Sequence, residues 1–289
     1  MWFYFALASA FISGISVTFN KRVLNRGAHS SVVSLFLFLF CTIGGLILLT
    51  IDGNWKINLP FLIASFISAV FFSVSKTLQL NIFRHNNLSD IYPLASLSPL
   101  TLYLISLFTL QEEIKITGTI GIFIMVAGVY LINFKSGNKD LLHPIKNLLK
   151  NRFALIYAFA IIISNVSAIA EKYALNNSGS SGVYQLAFWE NLFLTMIIGS
   201  YVLKTNENWV TEIKSNLLNL CVSGSLFLVL YLLVISGFKD GPVSLVSAVK
   251  KFEVIIVLII SYLFFKERPS KYVYLGSILM ILAVIFIKL

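Results

Sequence analysis

The stretch Ser89-Asp-Ile-Tyr-Pro-Leu-Ala-Ser-Leu-Ser-Pro-Leu-Thr-Leu-Tyr-Leu-Ile-Ser106 places polar and aromatic side chains at intervals of three and four residues in an otherwise apolar segment. This spacing predicts a helix over 89–111 with one polar face. The members of that face are Ser89, Tyr92, Ser96, Pro99, Tyr103 and Ser106. Because lipid offers no partner to polar groups, we expect the face to point into the interior of a helical bundle.

The same pattern recurs in the second half of the chain. Adding 155 to each residue number gives Ser244, Ser247, Lys251, Val254, Leu258 and Ser261. A second correspondence, at an offset of 151, pairs Ser13 with Ser164 and Ser16 with Ser167. The repetition predicts two copies of one bundle whose polar faces share an interior site.

The composition is that of an integral membrane protein. Of the 289 residues 58% are hydrophobic and 12% are charged, and the mean hydropathy is +0.88. A membrane helix needs about 20 apolar residues. Ten segments qualify: 2–24, 31–51, 59–82, 89–111, 116–134, 154–175, 183–203, 215–237, 243–265 and 272–288.

Five spans in each half is an odd number, so the second half must enter the membrane from the opposite side. The predicted fold is therefore an all-α integral membrane protein with ten transmembrane helices, arranged as two inverted-topology five-helix repeats. The first repeat is expected at 1–134 and the second at 154–289. The segment 135–153 between them is expected to be an amphipathic connector on the membrane surface.

The net charge of +10 lies in short loops. Because no soluble domain carries it, we do not expect a nucleic-acid partner; the expected partners are a small-molecule substrate and the lipid bilayer. Lys and Arg are more numerous in the loops on the side of the connector than in those on the other side. The positive-inside bias then predicts that the connector lies in the cytoplasm and both termini outside. The expected location is the plasma (inner) membrane.

Two stretches carry a family resemblance. They are Asn87-Leu-Ser-Asp-Ile-Tyr-Pro-Leu-Ala-Ser-Leu-Ser-Pro-Leu100 leading to Gln111-Glu112, and Gly241-Pro-Val-Ser-Leu-Val-Ser-Ala248 leading to Phe265-Lys-Glu267. In their order and duplication they resemble the EamA-type members of the drug/metabolite transporter superfamily. The resemblance implies a transporter that exports or exchanges small metabolites, and it does not imply which substrate.

The second half departs from the pattern at one place. Where the first half has Ser98-Pro99, the second has Phe252-Glu253-Val254, preceded by Lys250 and Lys251. Charges at membrane depth cost at least about 2.5–3.5 kcal/mol each on insertion scales, so each needs a partner, a cavity or a function. Lys251 belongs to the polar face and is expected to bind a negative group of the substrate. Lys250 and Glu253 are three residues apart and can pair on one side of the helix.

Lys76 lies well inside the third span, on the face that carries Gln79. A lysine at this depth can fix a carboxylate, and Tyr231 occupies the corresponding position of the second half. Together with the polar face of 89–111 and its repeat in the second half, these residues predict the substrate site. Its members are Lys76, Gln79, Ser89, Tyr92, Ser96, Tyr103, Tyr231, Ser244, Ser247, Lys250 and Lys251.

Acidic side chains within the spans are the expected ion-coupling groups. Glu190 has no basic neighbour three or four residues away in its helix, and a desolvated carboxylate can take up a proton near neutral pH. Glu253 is the second expected proton-coupling residue. Glu171 is expected to form an interfacial pair with Lys172, and Glu112 is expected to anchor the end of its span at the interface.

Gly121 and Gly128, which correspond to Gly276 and Ala283, predict a close-packing face. It serves either the bundle or a contact between protomers, so the expected state is a monomer or a homodimer.

The interior charges Lys76, Lys250, Lys251, Glu171, Glu190 and Glu253 balance, which favours an amino acid or organic acid as the substrate. Two alternatives stay open: an exchanger of sugar or phosphorylated metabolites, and a non-transporting scaffold or lipid-carrier flippase subunit. No nucleotide-binding loop, metal spacing, paired carboxylates or other catalytic arrangement is apparent in the sequence. We therefore expect no enzymatic activity and no cofactor or metal, with energy from an ion or substrate gradient.

Overall fold

The computed structural model of the chain describes residues 1–24, 27, 29–85, 92–132, 152–265 and 271–289. These residues form a bundle of helices. In chain order the helices are α1 (Trp2–Leu24), α2 (Ser30–Asp52), α3 (Leu59–His85), a 3₁₀ helix (Tyr92–Leu97), α4 (Ser98–Thr109), α5 (Ile116–Ile132), α6 (Arg152–Asn176), α7 (Gly182–Thr205), α8 (Trp209–Asp240), α9 (Val243–Lys250), α10 (Glu253–Phe265) and α11 (Lys271–Lys288).

In the described part of the chain, six helices are long and apolar enough to cross a membrane: α2, α3, α6, α7, α8 and α11. The other predicted spans are shorter or interrupted. In α1 the apolar stretch is Trp2–Val17, and α5 has 17 residues. The predicted spans 89–111 and 243–265 are each divided into two segments.

The two interruptions have different local causes. In the first half, Pro99 stands in the first turn of α4, where its missing N–H costs no hydrogen bond. In the second half, α9 ends at Lys250, and the N–H groups of Lys251 and Phe252 bond three residues back to Ala248 and Val249. The tighter 3₁₀ spacing interrupts the α-helix there without a proline.

The two halves pack on each other in a symmetric pattern. Helix α1 packs against α8, and α6, its counterpart in the second half, packs against α3, the counterpart of α8. Helices α2 and α5 each pack against their own counterparts, which are α7 and α11, whereas α4 packs against α9, the first segment of the other broken helix. Exchanging the two halves therefore reproduces the contacts of α1, α2, α3 and α5 with α8, α7, α6 and α11.

Helices α5 and α11 run antiparallel at very short range. A Cβ atom added to Gly128 would lie 2.9 Å from the carbonyl oxygen of Gly276, and one added to Gly121 would lie 3.0 Å from that of Ala283. Gly121 and Gly128 therefore pack within the bundle, against the face of α11 that carries Gly276 and Ala283. The absence of side chains lets the two backbones approach this closely.

Helices α2 and α7 also run antiparallel. Gly45, near the end of α2, faces the backbone of Ala187, near the start of α7. Further along, the hydroxyls of Thr42 and Thr195 are 3.2 Å apart. Each helix thus contacts its own counterpart in the reversed direction.

Side chains from both halves of the chain form hydrogen bonds with the turn between α8 and α9. Lys172 donates from Nζ to the carbonyl oxygens of Phe238, at 2.5 Å, and Gly241, at 3.1 Å. Glu112 accepts a hydrogen bond of 2.9 Å from the N–H of Val243. Lys172 thus satisfies the C-terminal carbonyls of α8, while Glu112 satisfies the N-terminus of α9. The expected pairing of Glu171 with Lys172 is wrong, because Lys172 is engaged here.

Both chain ends lie at this end of the bundle. Trp2 packs against Gly241, and Lys115 donates from Nζ to the carbonyl oxygen of Leu289 at 3.1 Å. The two termini therefore lie on the same side.

Candidate functional site

A cavity of about 270 Å³ lies where the two broken helices meet α2, α3 and α6–α8. Ser98 and Leu102 line it from α4, beside the first interruption, and Ser247, Lys250, Lys251 and Glu253 line it around the second. Irregular backbone is tolerated at membrane depth where it is buried in protein or lines a cavity. The two helix interruptions therefore lie in the wall of the polar cavity, where irregular backbone is tolerated.

A pair of carboxyl groups forms one wall. Glu190 of α7 is 1% exposed, and the carboxyl group of Glu171 of α6 lies within hydrogen-bonding reach of it. Both oxygens of Glu190 also accept hydrogen bonds from hydroxyl groups. Ser68 donates to Oε1 at 2.6 Å, and Tyr231 donates to Oε2 at 2.5 Å. The two carboxyl groups thus come from α6 and α7, and the hydroxyl groups that bond to Glu190 come from α3 and α8. The sequence did not reveal this pair.

Ser167 fixes the donor side of this pair. Its hydroxyl donates to the backbone oxygen of Ser68 at 3.1 Å, and its Oγ lies 2.8 Å from the Oγ of Ser68. Ser167 has one hydroxyl proton, which it gives to one of these two acceptors, and in either case the single O–H of Ser68 stays available for Glu190. Ser167 belongs to the polar pattern that repeats Ser16.

The second group of charges lies at the α9–α10 interruption. Lys251 interacts electrostatically with Glu253, whereas Lys250 interacts with Glu171. Ser13 of α1 donates a hydrogen bond to Oε2 of Glu253. Lys250 and Glu253, which the sequence allows to pair, form no ion pair within the described residues. Such a pair requires a continuous helix, and the chain turns between these two residues.

Asn165 links α6 to the first interruption. Its Nδ2 donates to the carbonyl oxygen of Ser98 at 3.1 Å and to Oγ1 of Thr101 at 2.5 Å. The Ser98 hydroxyl donates back to Oδ1 of Asn165 at 3.0 Å. Asn165 therefore bonds to Ser98 through both its amide nitrogen and its amide oxygen, which ties α6 to the first turn of α4 beside the interruption.

Aromatic rings form another wall. The ring of Phe38 packs edge-on against Phe72, with centroids 6.0 Å apart, and against Phe227, at 5.8 Å. Phe227 in turn lies 6.4 Å from Tyr231, whose hydroxyl reaches Glu190. The cavity thus has an apolar side and a charged side, as small-molecule sites have.

Six of the sequence-predicted residues line this cavity: Glu190, Tyr231, Ser247, Lys250, Lys251 and Glu253. Ser89 and the side chain of Tyr92 lie outside the described residues, as does the side chain of Ser261. Five others are described and do not line it: Lys76, Gln79, Ser96, Tyr103 and Ser244.

The contacts of the residues outside the cavity show where they lie. Gln79 donates to Oγ of Ser75 at 3.0 Å, and the Tyr103 hydroxyl lies 3.1 Å from Oγ1 of Thr119 on α5. Ser244 is fully buried, and its Oγ has no hydrogen-bond partner within the described ranges. The placement of these residues in the cavity was a wrong prediction.

The 3₁₀ segment explains the misplacement of Tyr103. An α-helix advances about 100° per residue and a 3₁₀ helix about 120°. Over the six residues Tyr92–Leu97 the difference accumulates to roughly 120°, so the later residues point elsewhere. A stripe calculated for one continuous α-helix therefore does not stay on one face.

Sequence reasoning missed Asn165 as a site residue and assigned Glu171 to the interface. Both are isolated polar residues in an apolar helix, which is a usable signal. Glu171 was misassigned because its neighbour Lys172 suggested an interfacial pair. In the structure the two adjacent side chains serve different sites. No group of three or more His, Cys, Asp or Glu side chains suited to a metal occurs in the described residues.

A bundle of apolar helices, broken in two places around a charged cavity, defines a helical membrane protein of the transporter class. The model of the EamA-like transporter family matches residues 1–134 and 151–289, so the chain belongs to this family, within the drug/metabolite transporter superfamily. The family is one of membrane transporters and is generally non-enzymatic.

A solved structure titled "Crystal structure of protein" has a similar fold, with a TM-score of 0.74 and 13% sequence identity. The similarity covers 100% of this chain and 98% of that one. At this identity the likeness concerns the fold alone. No curated protein sequence matches the chain.

Proposed function

We propose that the protein is a secondary transporter of a small polar metabolite of the amino-acid or organic-acid type, which it exports or exchanges by alternating access across the plasma membrane. The observation that carries the proposal is the cavity at the two helix interruptions, where lysines and glutamates face one space. Buried charges of both signs around a cavity are typical of substrate and ion pathways in membrane proteins.

We infer ten membrane crossings in two inverted halves. The support comes from helices that contact their own counterparts, α2 with α7 and α5 with α11, in the antiparallel direction. Repeats related by an axis along the membrane normal would bring such counterparts together in parallel, whereas an axis in the membrane plane reverses them. Two related halves around one cavity can rock against each other to expose it to each side in turn.

The size and charge of the cavity support a small substrate. Its volume of about 270 Å³ is below the range of about 300–1,000 Å³ that is usual for drug-sized ligands. Lys251 and Lys250 are suited to a carboxylate, and the carboxylates opposite are suited to an amino group. Glu171, Glu190 and Glu253 in the same space argue against a phosphorylated or sugar-nucleotide substrate, whose negative charge they would repel.

A thermal-shift screen of the purified protein tests the proposal. The compounds are amino acids, organic acids, sugar phosphates and nucleotide sugars. At a concentration of 100 times its dissociation constant, a true ligand stabilises the folded protein by about 2.7 kcal/mol. We expect stabilisation by an amino acid or organic acid and its loss in Lys251→Ala.

The matched control is Lys76→Met, because Lys76 is a membrane-embedded lysine that does not line the cavity. This variant should retain the ligand-dependent shift. Stabilisation by sugar phosphates or nucleotide sugars alone, or an unchanged shift in Lys251→Ala, would contradict the proposed substrate class.

A further inference from the structure

The charges that line the described part of the cavity do not balance if every one is ionised. Lys250 and Lys251 face Glu171, Glu190 and Glu253. Lys76, which balanced the count in the sequence, does not line this space. An uncompensated charge in a low-dielectric site is costly, and a carboxyl group avoids that cost by binding a proton.

We propose that Glu171 and Glu190 hold one exchangeable proton between them and that this shared proton is the ion coupled to transport. The proposal rests on the proposed transporter function and assigns its coupling site. It replaces two separate candidates, Glu190 and Glu253, by one pair on α6 and α7.

The carboxyl groups of Glu171 and Glu190 line the same cavity within hydrogen-bonding reach of each other, and this closeness calls for a proton. An ionised carboxylate only accepts hydrogen bonds, so two carboxyl groups bond to each other only when one is protonated. Both oxygens of Glu190 already accept from the hydroxyls of Ser68 and Tyr231, as an ionised carboxylate does. Glu171 is therefore assigned as the proton carrier, placed to donate to Glu190.

The surroundings allow the proton to leave. Helix α9 presents Lys250 to Glu171, which compensates the second negative charge when the proton transfers from the Glu171 carboxyl to a water molecule in the cavity. The other titratable groups facing the pair are Tyr231 of α8 and Cys41 of α2. Helix α3 contributes the neutral Ser68, and Lys251 and Glu253 complete the cavity charges.

One proton makes the charges of this lining balance. With Glu171 protonated, the two lysines offset Glu190 and Glu253. Without the proton, the site carries one extra negative charge. Protonation and substrate binding at the adjacent lysines are then linked, since each changes the field that the other meets.

Infrared difference spectroscopy of the purified protein measures the proton directly. A protonated carboxyl group has a C=O stretching band that ionised carboxylates lack, and exchange into D₂O shifts this band. We expect the band in the wild-type protein at neutral pH. It should disappear in Glu171→Gln, where the remaining Glu190 has hydroxyl donors, and in Glu190→Gln, where the remaining Glu171 has Lys250. The exposed Glu113→Gln is the control and should retain it.

A wild-type spectrum without the band, or a band that survives both substitutions, overturns the proposal even if a substrate binds. Because the wild-type spectrum and its D₂O shift are informative alone, a variant that fails to fold does not remove the test.

In proteoliposomes, Glu171→Gln should bind substrate and lose accumulation driven by a pH gradient. Unchanged gradient-driven accumulation in this variant would also overturn the proposal. Failure of every compound in the thermal-shift screen would instead refute the proposed substrate class.

Discussion

Ser98 and Glu253 occupy equivalent positions in the two halves, and each begins the second segment of a broken helix. They stand at the same offset of 155 that relates Ser89 to Ser244 in the sequence. The interruption is therefore shared by both halves, although Pro99 accompanies only the first. The position of the break is the same in both halves, while its local geometry and its chemistry differ.

Replacing Lys251 by alanine should abolish transport without preventing folding. A hydrogen bond to a charged group contributes about 1.5–3 kcal/mol, so substrate affinity should fall by about 10- to 100-fold. Uptake or efflux in proteoliposomes measures the effect, and Lys76→Met serves as the comparison. Equal losses in both variants would show that a buried lysine as such, rather than its position at the cavity, determines transport.

Gly128→Ala should destabilise the protein. The added Cβ would meet the backbone oxygen of Gly276, which cannot move independently of α11. Overpacking of this kind costs about 1–3 kcal/mol, which thermal unfolding in detergent detects. Gly199→Ala is the matched control, because its Cβ would lie 3.4 Å from the side chain of Leu35, an ordinary contact. A smaller effect at Gly128 than at Gly199 would contradict the packing.

The stability of the protein should depend on pH through Glu112. Burial raises the pKa of Glu112 above the ordinary value of a glutamate, although the Val243 N–H and Lys172 oppose this shift. The folded protein then binds the proton more tightly than the unfolded chain does. This contribution is fully present below the ordinary pKa and is lost as pH rises through the raised one.

Glu112→Gln, which cannot ionise, should therefore show a smaller fall in melting temperature between mildly acidic and neutral pH. Its amide oxygen can still accept from Val243. The exposed Glu113→Gln is the control and should behave as the wild type does. An identical pH dependence in all three proteins would exclude Glu112 as its source.

Both termini should face the exterior, on the basis of the loop charges. The family resemblance implies the opposite orientation, since EamA-type members commonly keep both termini in the cytoplasm. A reporter that is active only in the cytoplasm, fused after Leu289, distinguishes the two. We expect no signal, and strong activity would show that the charge bias was misleading.

The sequence predicted the repeat and the helices well because both depend on local apolar length and on spacing. It predicted Lys251 and Glu190 at the cavity because a buried charge is a strong signal by itself. It misplaced Tyr103 because a change of helix type alters which residues share a face. Ser244 lies in the same regular helix as Ser247 and is buried away from the cavity, which depends on how α9 packs against its neighbours. It could not reveal the Glu171–Glu190 pair, because that pair depends on how α6 and α7 meet in space.

The unequal chemistry of the two interruptions has an energetic consequence. Lys250 and Lys251 flank only the second one, while the first is bordered by serines and a proline. A motion that exchanges the structural roles of the two halves therefore does not return the molecule to an equivalent state. In the proposed alternating-access cycle, one of the two end states would then lie lower in free energy when the cavity is empty, and substrate binding would have to overcome that preference.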